Sequence, residues 1–308
     1  MGDLMHALPA LTEAKEHFKE IEFDWVVDKS FSEVPKWHPA VNKIITTDHR
    51  NWKKQLLSSN SRKAFRSVIH EIDNTNYDLV IDMQNNLKSA LVSFMCKHQV
   101  IGMDSKSVRE YPAHFSYSTK ISISKELHAI TRQKILLSNA LGYSTSSLNE
   151  YGVSDAEFKN PSFSLPNEYV VLVQNASWKT KQWSIANWKL LVKHFDGYGI
   201  EMILPSGNEE EYQRAEQISS FSDKAHALKP LSLNETAYIM KKAKFSVCSD
   251  TGLAHLSAVV GTPSLTLYGP TDTKLIGTEG INQLHLVGTN KNINSISIED
   301  VISKLPLI

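Results

Sequence analysis

The feature that most constrains this chain is an alternation, kept up over most of its length, between short β-rich apolar runs and segments of helical periodicity. In the second half Tyr169–Val173, Glu201–Leu204, Phe245–Cys248 and Ser264–Tyr268 read as strands. The helical patterns between and around them cover Ile185–Phe195, Glu209–Ser219, Leu233–Lys242 and Leu253–Val260, with a terminal helix at Ile298–Leu305. In the first half Phe23–Val27, Lys43–Thr46, Tyr77–Asp82 and Val100–Gly102 read as strands, and Arg62–Glu71, Leu87–Cys96 and His128–Leu141 as helices, the last stopped by Gly142. Strands that alternate with helices pack as parallel sheets covered on both faces. The pattern lapses between Tyr151 and Asn167, around Pro161 and Pro166, which predicts two α/β domains, 1–155 and 156–308.

Composition excludes several classes of function. Each apolar run is strand-sized, far short of the roughly 20 residues that cross a bilayer. Met1–Glu16 lacks the basic start and sustained apolar centre of a secretory signal, and His6 stands where a myristoylation motif wants Ser or Thr. Cys96 and Cys248 provide neither a disulfide framework nor a metal spacing, so a reducing cytoplasm is expected. The 33 basic residues balance 33 acidic ones, and no nucleic-acid motif accompanies them, so no nucleic-acid partner is expected. Charge is local instead: His49–His70 carries Arg50, Lys53, Lys54, Arg62, Lys63 and Arg66 without one acidic residue. That run is either the solvated face of a helix or a landing surface for an anionic substrate or membrane leaflet.

In open parallel sheets ligands bind beyond the carboxyl ends of the strands. Four loops at those ends therefore matter: Ser177 with Lys181, Gly207 with Glu211, Asp250-Thr251-Gly252, and Gly269-Pro270-Thr271. In the third, a helix opens directly after a buried strand, so free N–H groups and the positive end of the helix face an incoming anion. Gly252 lets a phosphate approach the backbone. Ordinary capping by Ser249, Asp250 or Thr251 explains the same residues. Lys181 is equally readable as a solvated lysine, Glu211 as a first-turn acid, and Asp3 as the N-cap of a helix beginning near Leu4. There is no Walker loop and no G-x-G-x-x-G. Tyr238 and Lys242 have an epimerase-like spacing but lack the glycine fingerprint that would accompany it.

Taken together, several motifs resemble those of the bacterial lipopolysaccharide heptosyltransferases, most of all the heptosyltransferase I branch. They are Ser246–Ala258, Leu267–Asp272 with Leu275-Ile276-Gly277, Met1-Gly2-Asp3 with His6–Leu11, Phe23–Val27, Lys63–Arg66, and Tyr77-Asp78 with Val80–Asp82. The resemblance runs over nearly the whole chain. It implies a GT-B-like α/β fold of two Rossmann-like domains whose parallel sheets face a central cleft, with the acceptor bound by the first domain and a nucleotide-sugar donor by the second, and with the terminal helix able to pack back on the first. It also implies inverting transfer of L-glycero-D-manno-heptose from ADP-heptose to the Kdo of Kdo2-lipid A, without cofactor or metal, by a protein resting peripherally on the cytoplasmic face of the inner membrane. On this likeness Asp3 is the general base. Ser177, Lys181, Glu211, Leu231, Asp250, Thr251, Gly252 and His255 hold the donor. Arg62, Lys63, Arg66, Lys88, Arg109, His128 and Arg132 meet the acceptor.

The chain also departs from the family pattern. Gln174 and Ala176 replace a His and a Thr, so Ser177 is expected to serve alone at the phosphate, altering donor contacts but not the reaction. The family's first β-strand, normally central in the N-terminal sheet, is missing before Met1, which predicts a natural start about 5–10 residues upstream. The alternatives are heptosyltransferase II or a related core glycosyltransferase, and an inactive sugar-nucleotide-binding homologue.

Overall fold

A computed structural model describes residues 1–49 and 58–305. Residues 3–152 and 153–308 form separate compact units.

The N-terminal unit opens with α1 (Gly2–His17), followed by β1 (Phe23–Asp28), β2 (Val41–Thr47), α2 (Ser59–Asp73), β3 (Val80–Ile81), α3 (Leu87–Met95), β4 (Val100–Met103), β5 (Thr119–Ile121) and α4 (Ala129–Leu141). All its ladders are parallel, in two sheets ordered β1-β2 and β3-β4-β5. Ala10, Leu11 and Ala14 of α1 pack with Leu137 of α4 over Phe23, Trp25 and Ile81. A second cluster joins Val68, Ile69 and Ile72 of α2 to Ile45 and Val92. Gly142 ends α4 with φ of 79°, as its sequence position predicts, because only glycine enters the left-handed region without steric cost.

Two expectations needed adjustment. The strand expected over Tyr77–Asp82 contracts to Val80–Ile81. The Tyr77 hydroxyl is drawn aside to donate to Asp24 Oδ2 at 2.8 Å. At the other end the Asp82 carboxylate accepts the N–H groups of Gln84 and Asn85, each at 2.9 Å, turning the chain out of the ladder. Asp3 is not an N-cap: α1 begins at Gly2 with Met1 as its cap, and Asp3 sits inside the first turn, where a carboxylate suits the helix dipole.

The interior is tight where a side chain crosses a strand. A Cβ added to Gly102 would stand 2.4 Å from the buried Tyr117 ring, whose hydroxyl donates to Asp82 at 2.7 Å. Gly102→Ala is therefore expected to lower unfolding stability by about 1–3 kcal/mol in urea titrations, as overpacking does. His38 gives this unit a pH dependence. It is 2% exposed, its Nδ1 accepts the Ala40 N–H at 3.1 Å, and its Nε2 lies 3.0 Å from the Thr12 hydroxyl. An accepting Nδ1 places the proton on Nε2, so the ring is neutral. Burial, with Lys15 nearby, pushes its pKa down to about 4 from the ordinary 6.5. The neutral ring is thus favoured in the folded state: its contribution is complete above pH 6.5 and is lost as pH falls through 4. That loss is about 3 kcal/mol. Unfolding curves recorded between pH 7 and 4 are expected to show this slope, and His38→Gln is expected to flatten it.

The C-terminal unit runs β6 (Tyr169–Val173), α5 (Ile185–Gly197), β7 (Glu201–Leu204), α6 (Glu209–Ser219), β8 (Ala225–Ala227), α7 (Leu233–Lys242), β9 (Phe245–Ser249), α8 (Gly252–Val259), β10 (Ser264–Tyr268), β11 (Gln283–Val287) and α9 (Ile298–Ile302). Its parallel sheet is ordered β11-β10-β9-β6-β7-β8. Every residue of β6, β9 and β10 is buried, as in the middle of a doubly covered sheet: β6 is a continuous apolar run, while β9 and β10 bury Ser246, Ser249, Ser264 and Thr266 among their apolar residues. Trp183, Trp188 and Phe195 fill the core, and the Trp183 indole N–H reaches the Ile296 carbonyl at 2.9 Å. The terminal helix α9 seats Val301 in this unit's core.

Candidate nucleotide-sugar donor site

The order of the C-terminal sheet fixes where a ligand can enter. The chain leaves β6 in one direction through β7 and β8, then returns to lay β9 on the opposite side of β6. The loops after β6 and β9 therefore diverge, and the crevice between them is the topological switch point of a doubly wound sheet. The first loop carries Ser177 and Lys181; the second carries Asp250 and Thr251.

At the switch point these loops meet through one carboxylate. Lys181 Nζ lies 2.8 Å from Asp250 Oδ2, and the Thr271 hydroxyl, from the loop after β10, donates to the same oxygen. Asp250 is 6% exposed and the Lys181 side chain 20%. Asp250 thus anchors the lysine while part of the ammonium group still reaches solvent. Thr251 is the N-cap of α8 with extended backbone, yet no side chain caps the helix. Capping therefore does not account for Ser249, Asp250 and Thr251. Asp250 is committed to Lys181 and Thr271, and the fully buried Ser249 hydroxyl has no partner among the described residues. Gly252 opens the helix, so its first N–H groups, the positive helix end and one lysine share a small space. An anion of diphosphate size is the ligand such a set of donors suits.

The remaining donor residues fall around this point in different ways. His255 is buried in the second turn of α8. Ser177 is exposed, and beside it Trp178, 67% exposed, holds its ring 5.7 Å from Lys181 Nζ. That aromatic was not among the residues singled out from the sequence; only its place in a strand-end loop could have marked it. Glu211 folds back over the start of α6, where its Oε2 accepts the Gly207 N–H at 2.8 Å. It is a first-turn acid here, and its other carboxylate oxygen has no partner among the described residues. Leu231 is half-buried one residue before Ser232, the N-cap of α7. Gln174 is buried and donates to the Pro205 carbonyl at 3.2 Å, while Ala176 is buried and its carbonyl accepts from Gln182 at 2.8 Å.

In the N-terminal unit Arg109 Nη1 donates to Asp3 Oδ2 at 2.5 Å. Both side chains are about half exposed, and Oδ1 has no partner among the described residues. Arg62, Lys63 and Arg66 stand exposed along one stretch of α2, and Lys88 is exposed in the first turn of α3. The other two residues assigned to the acceptor have inward tasks. His128 caps α4 by accepting the Ile130 N–H at 3.3 Å, and Arg132 donates to the Ser107 carbonyl and to Met103 Sδ. Arg50, Lys53 and Lys54 of the basic run lie outside the described residues.

Residues 65–305 match the model of glycosyltransferase family 9 (heptosyltransferase). Lipopolysaccharide heptosyltransferase 1 of Escherichia coli K12 is 36% identical over 313 residues, covering 99% of this chain and 96% of that protein. The structure of E. coli heptosyltransferase WaaC with ADP superposes with a TM-score of 0.91 at 33% identity, covering 98% of this chain and 95% of that one. The WaaC complex with ADP-2-deoxy-2-fluoro heptose gives a TM-score of 0.89 at 32% identity, with the same coverage. The fold is thus GT-B-like, and this chain belongs to glycosyltransferase family 9, the heptosyltransferases.

Proposed function

We propose that the protein transfers L-glycero-D-manno-heptose from ADP-heptose to the Kdo of Kdo2-lipid A, with inversion at the anomeric carbon. The observation that carries this reading is the Lys181–Asp250–Thr271 junction beside the uncapped start of α8. The likeness to heptosyltransferase 1 over the length of both chains, and the ADP and ADP-fluoroheptose complexes of WaaC, support it.

In this scheme the α8 N–H groups and Lys181 bind the diphosphate, with Ser177, Thr251 and Gly252 beside them, Glu211 and Leu231 toward the nucleoside, and His255 toward the sugar. The acceptor hydroxyl oxygen attacks the anomeric carbon from the face opposite the diphosphate. The carbon–oxygen bond to ADP breaks, ADP leaves with the electron pair, and the hydroxyl proton passes to Asp3. Charge grows on the departing diphosphate during this step, and donors already fixed around it stabilise the transition state more than the ground state. Arg109 holds one oxygen of Asp3 and leaves the other for the proton. Arg62, Lys63, Arg66 and Lys88 present cations to an acidic, phosphorylated acceptor. His128 and Arg132 support that surface from beneath, through the contacts they make with α4 and the Ser107 loop. Among the described residues no helix is long and apolar enough to cross a membrane; the acceptor is met by a protein resting on the lipid surface.

Incubating the protein with ADP-heptose and either Kdo2-lipid A or its monoheptosylated form tests the assignment. Mass spectrometry is expected to find one added heptose on Kdo2-lipid A. Transfer only to the monoheptosylated form would move the assignment to heptosyltransferase II, and donor binding without transfer to either would make the chain an inactive homologue.

A further inference from the structure

The helix α3 is apolar on the side that faces water. Its sequence, Leu87-Lys88-Ser89-Ala90-Leu91-Val92-Ser93-Phe94-Met95, buries Ala90 and Val92. Leu87, Leu91, Phe94 and Met95 recur at the spacing of a second helix face, and all four are exposed, Phe94 by 71%. The short helical turn Tyr111–Ser116 lies alongside. Ala113 of that turn shares a cluster with Ala90, and Glu110 just before it accepts the Leu87 N–H at 2.8 Å. Tyr111 and Phe115 are 61% and 69% exposed, with their rings 6.1 Å apart. Six large apolar side chains therefore share one surface, more than the isolated exposed hydrophobics that soluble proteins ordinarily carry.

The opposite flank of α3 is cationic. Val92 packs there with Val68, Ile69 and Ile72 of α2, the helix that presents Arg62, Lys63 and Arg66. Lys88 projects from the same side of α3, and Lys97 is exposed just beyond its end. Two acidic residues border this region and both are engaged: Glu110 accepts the Leu87 N–H, and Asp73 accepts the Lys97 N–H at 2.8 Å.

From this arrangement we infer that the outer face of α3, with Tyr111 and Phe115, is the surface by which the protein docks on an anionic lipid bilayer. The inference rests on the proposed function in one respect: an acceptor anchored by acyl chains must be met at the bilayer surface. Aromatic and aliphatic side chains enter the boundary between headgroups and acyl chains while neighbouring cations meet anionic headgroups, and this patch offers both side by side. Charge complementarity separates the bilayer from a second copy of the chain, because pairing two such faces would bring cationic flanks together. The Arg109–Asp3 pair immediately precedes Glu110 and the patch, so docking there would hold the proposed base near the surface where the acceptor sugar emerges.

The test is flotation of the full chain with vesicles of phosphatidylethanolamine, with and without phosphatidylglycerol, for wild type and for a Phe94→Ser/Phe115→Ser variant. Leu91→Ser serves as a second variant, and unchanged thermal midpoints show that each is folded. Wild type is expected to float with the phosphatidylglycerol vesicles, and both variants are expected to lose about tenfold or more in binding. On Kdo2-lipid A in vesicles, kcat/KM of the variants should fall about as far, while on a water-soluble, deacylated acceptor it should stay within about twofold of wild type. Variants that bind vesicles like wild type, or wild type that ignores them, would overturn the proposal. So would a wild-type dimer that the variants dissociate, since the patch would then be a protein interface. If wild type floats and the variants do not, yet neither acceptor gains heptose, the docking surface stands and the transferase reading fails.

Discussion

Asp3→Asn is expected to reduce kcat for heptosyl transfer by about 10²–10⁴-fold, the usual contribution of a positioned general base. Asparagine keeps the size of the side chain and a carbonyl oxygen for Arg109 but cannot take the proton of the attacking hydroxyl. The KM for ADP-heptose should change little, because Asp3 makes no donor contact in the proposed scheme. Stability should also hold, since Asp3 is half exposed and its ion pair with Arg109 lies at the surface, where such pairs contribute about 0–1 kcal/mol. Arg109→Ala separates two roles for that arginine. If it orients Asp3, kcat falls and KM for the acceptor stays; if it binds acceptor phosphate, KM rises and kcat stays. Steady-state kinetics with a deacylated acceptor, with both substrates varied, reads all of these. An Asp3→Asn enzyme with unchanged kcat would remove Asp3 from the chemistry.

The second large effect is expected at Lys181. Lys181→Ala removes the side-chain cation paired with Asp250 beside the α8 N-terminus and should lower kcat/KM for ADP-heptose by about 10²–10³-fold, as loss of one preorganised donor does at other developing oxyanions. It also leaves Asp250, 6% exposed, with the Thr271 hydroxyl as its remaining side-chain partner among the described residues. A carboxylate stripped of its counter-charge there is expected to cost about 1–3 kcal/mol of stability. The double variant Lys181→Ala/Asp250→Ala separates the two consequences. Stability should return toward wild type because no unpaired charge remains, while activity should stay low because the phosphate has lost its lysine. Denaturant unfolding beside initial-rate kinetics makes the comparison. Activity restored together with stability would mean that Lys181 serves Asp250 alone.

What could be read from the sequence follows from how strongly burial marks each element. The strands β6, β9 and β10 lie in the middle of the C-terminal sheet, where both faces are covered; β6 is an uninterrupted apolar run, and in β9 and β10 apolar residues alternate with small Ser and Thr, a composition that still reads as strand. The three strands that sequence reading did not find, β5, β8 and β11, each close one edge of a sheet. An edge strand needs one neighbour and stays partly in water, so Thr119-Lys120-Ile121, Ala225-His226-Ala227 and the alternation around His285 carry no apolar run. The loops proposed to hold the donor could be located for a related reason. Their place follows from strand ends and the rule for parallel sheets, and the motif around Asp250 stands directly behind a buried strand.

Pairings inside the site were not legible. Nothing in the spacing of Lys181, Asp250 and Thr271 announces that one carboxylate oxygen receives both partners, since they come together only through the strand order β10-β9-β6. Residue type alone likewise does not show the contacts of Arg132. Its guanidinium is turned onto the Ser107 carbonyl, and burial lowers its pKa below the ordinary arginine value. Glu211 shows the same ambiguity: its first-turn place is satisfied by Gly207, and only its second oxygen remains for a ribose.

A crystal structure of the protein with ADP tests the central claim, that the switch point of the C-terminal sheet is the donor site. The diphosphate is expected to lie at the start of α8, within hydrogen-bond distance of the Gly252 and Leu253 N–H groups and of Lys181 Nζ, with Asp250 still bridging Lys181 and Thr271. ADP bound elsewhere in the chain, or bound with its diphosphate turned away from Lys181 and α8, would contradict the account.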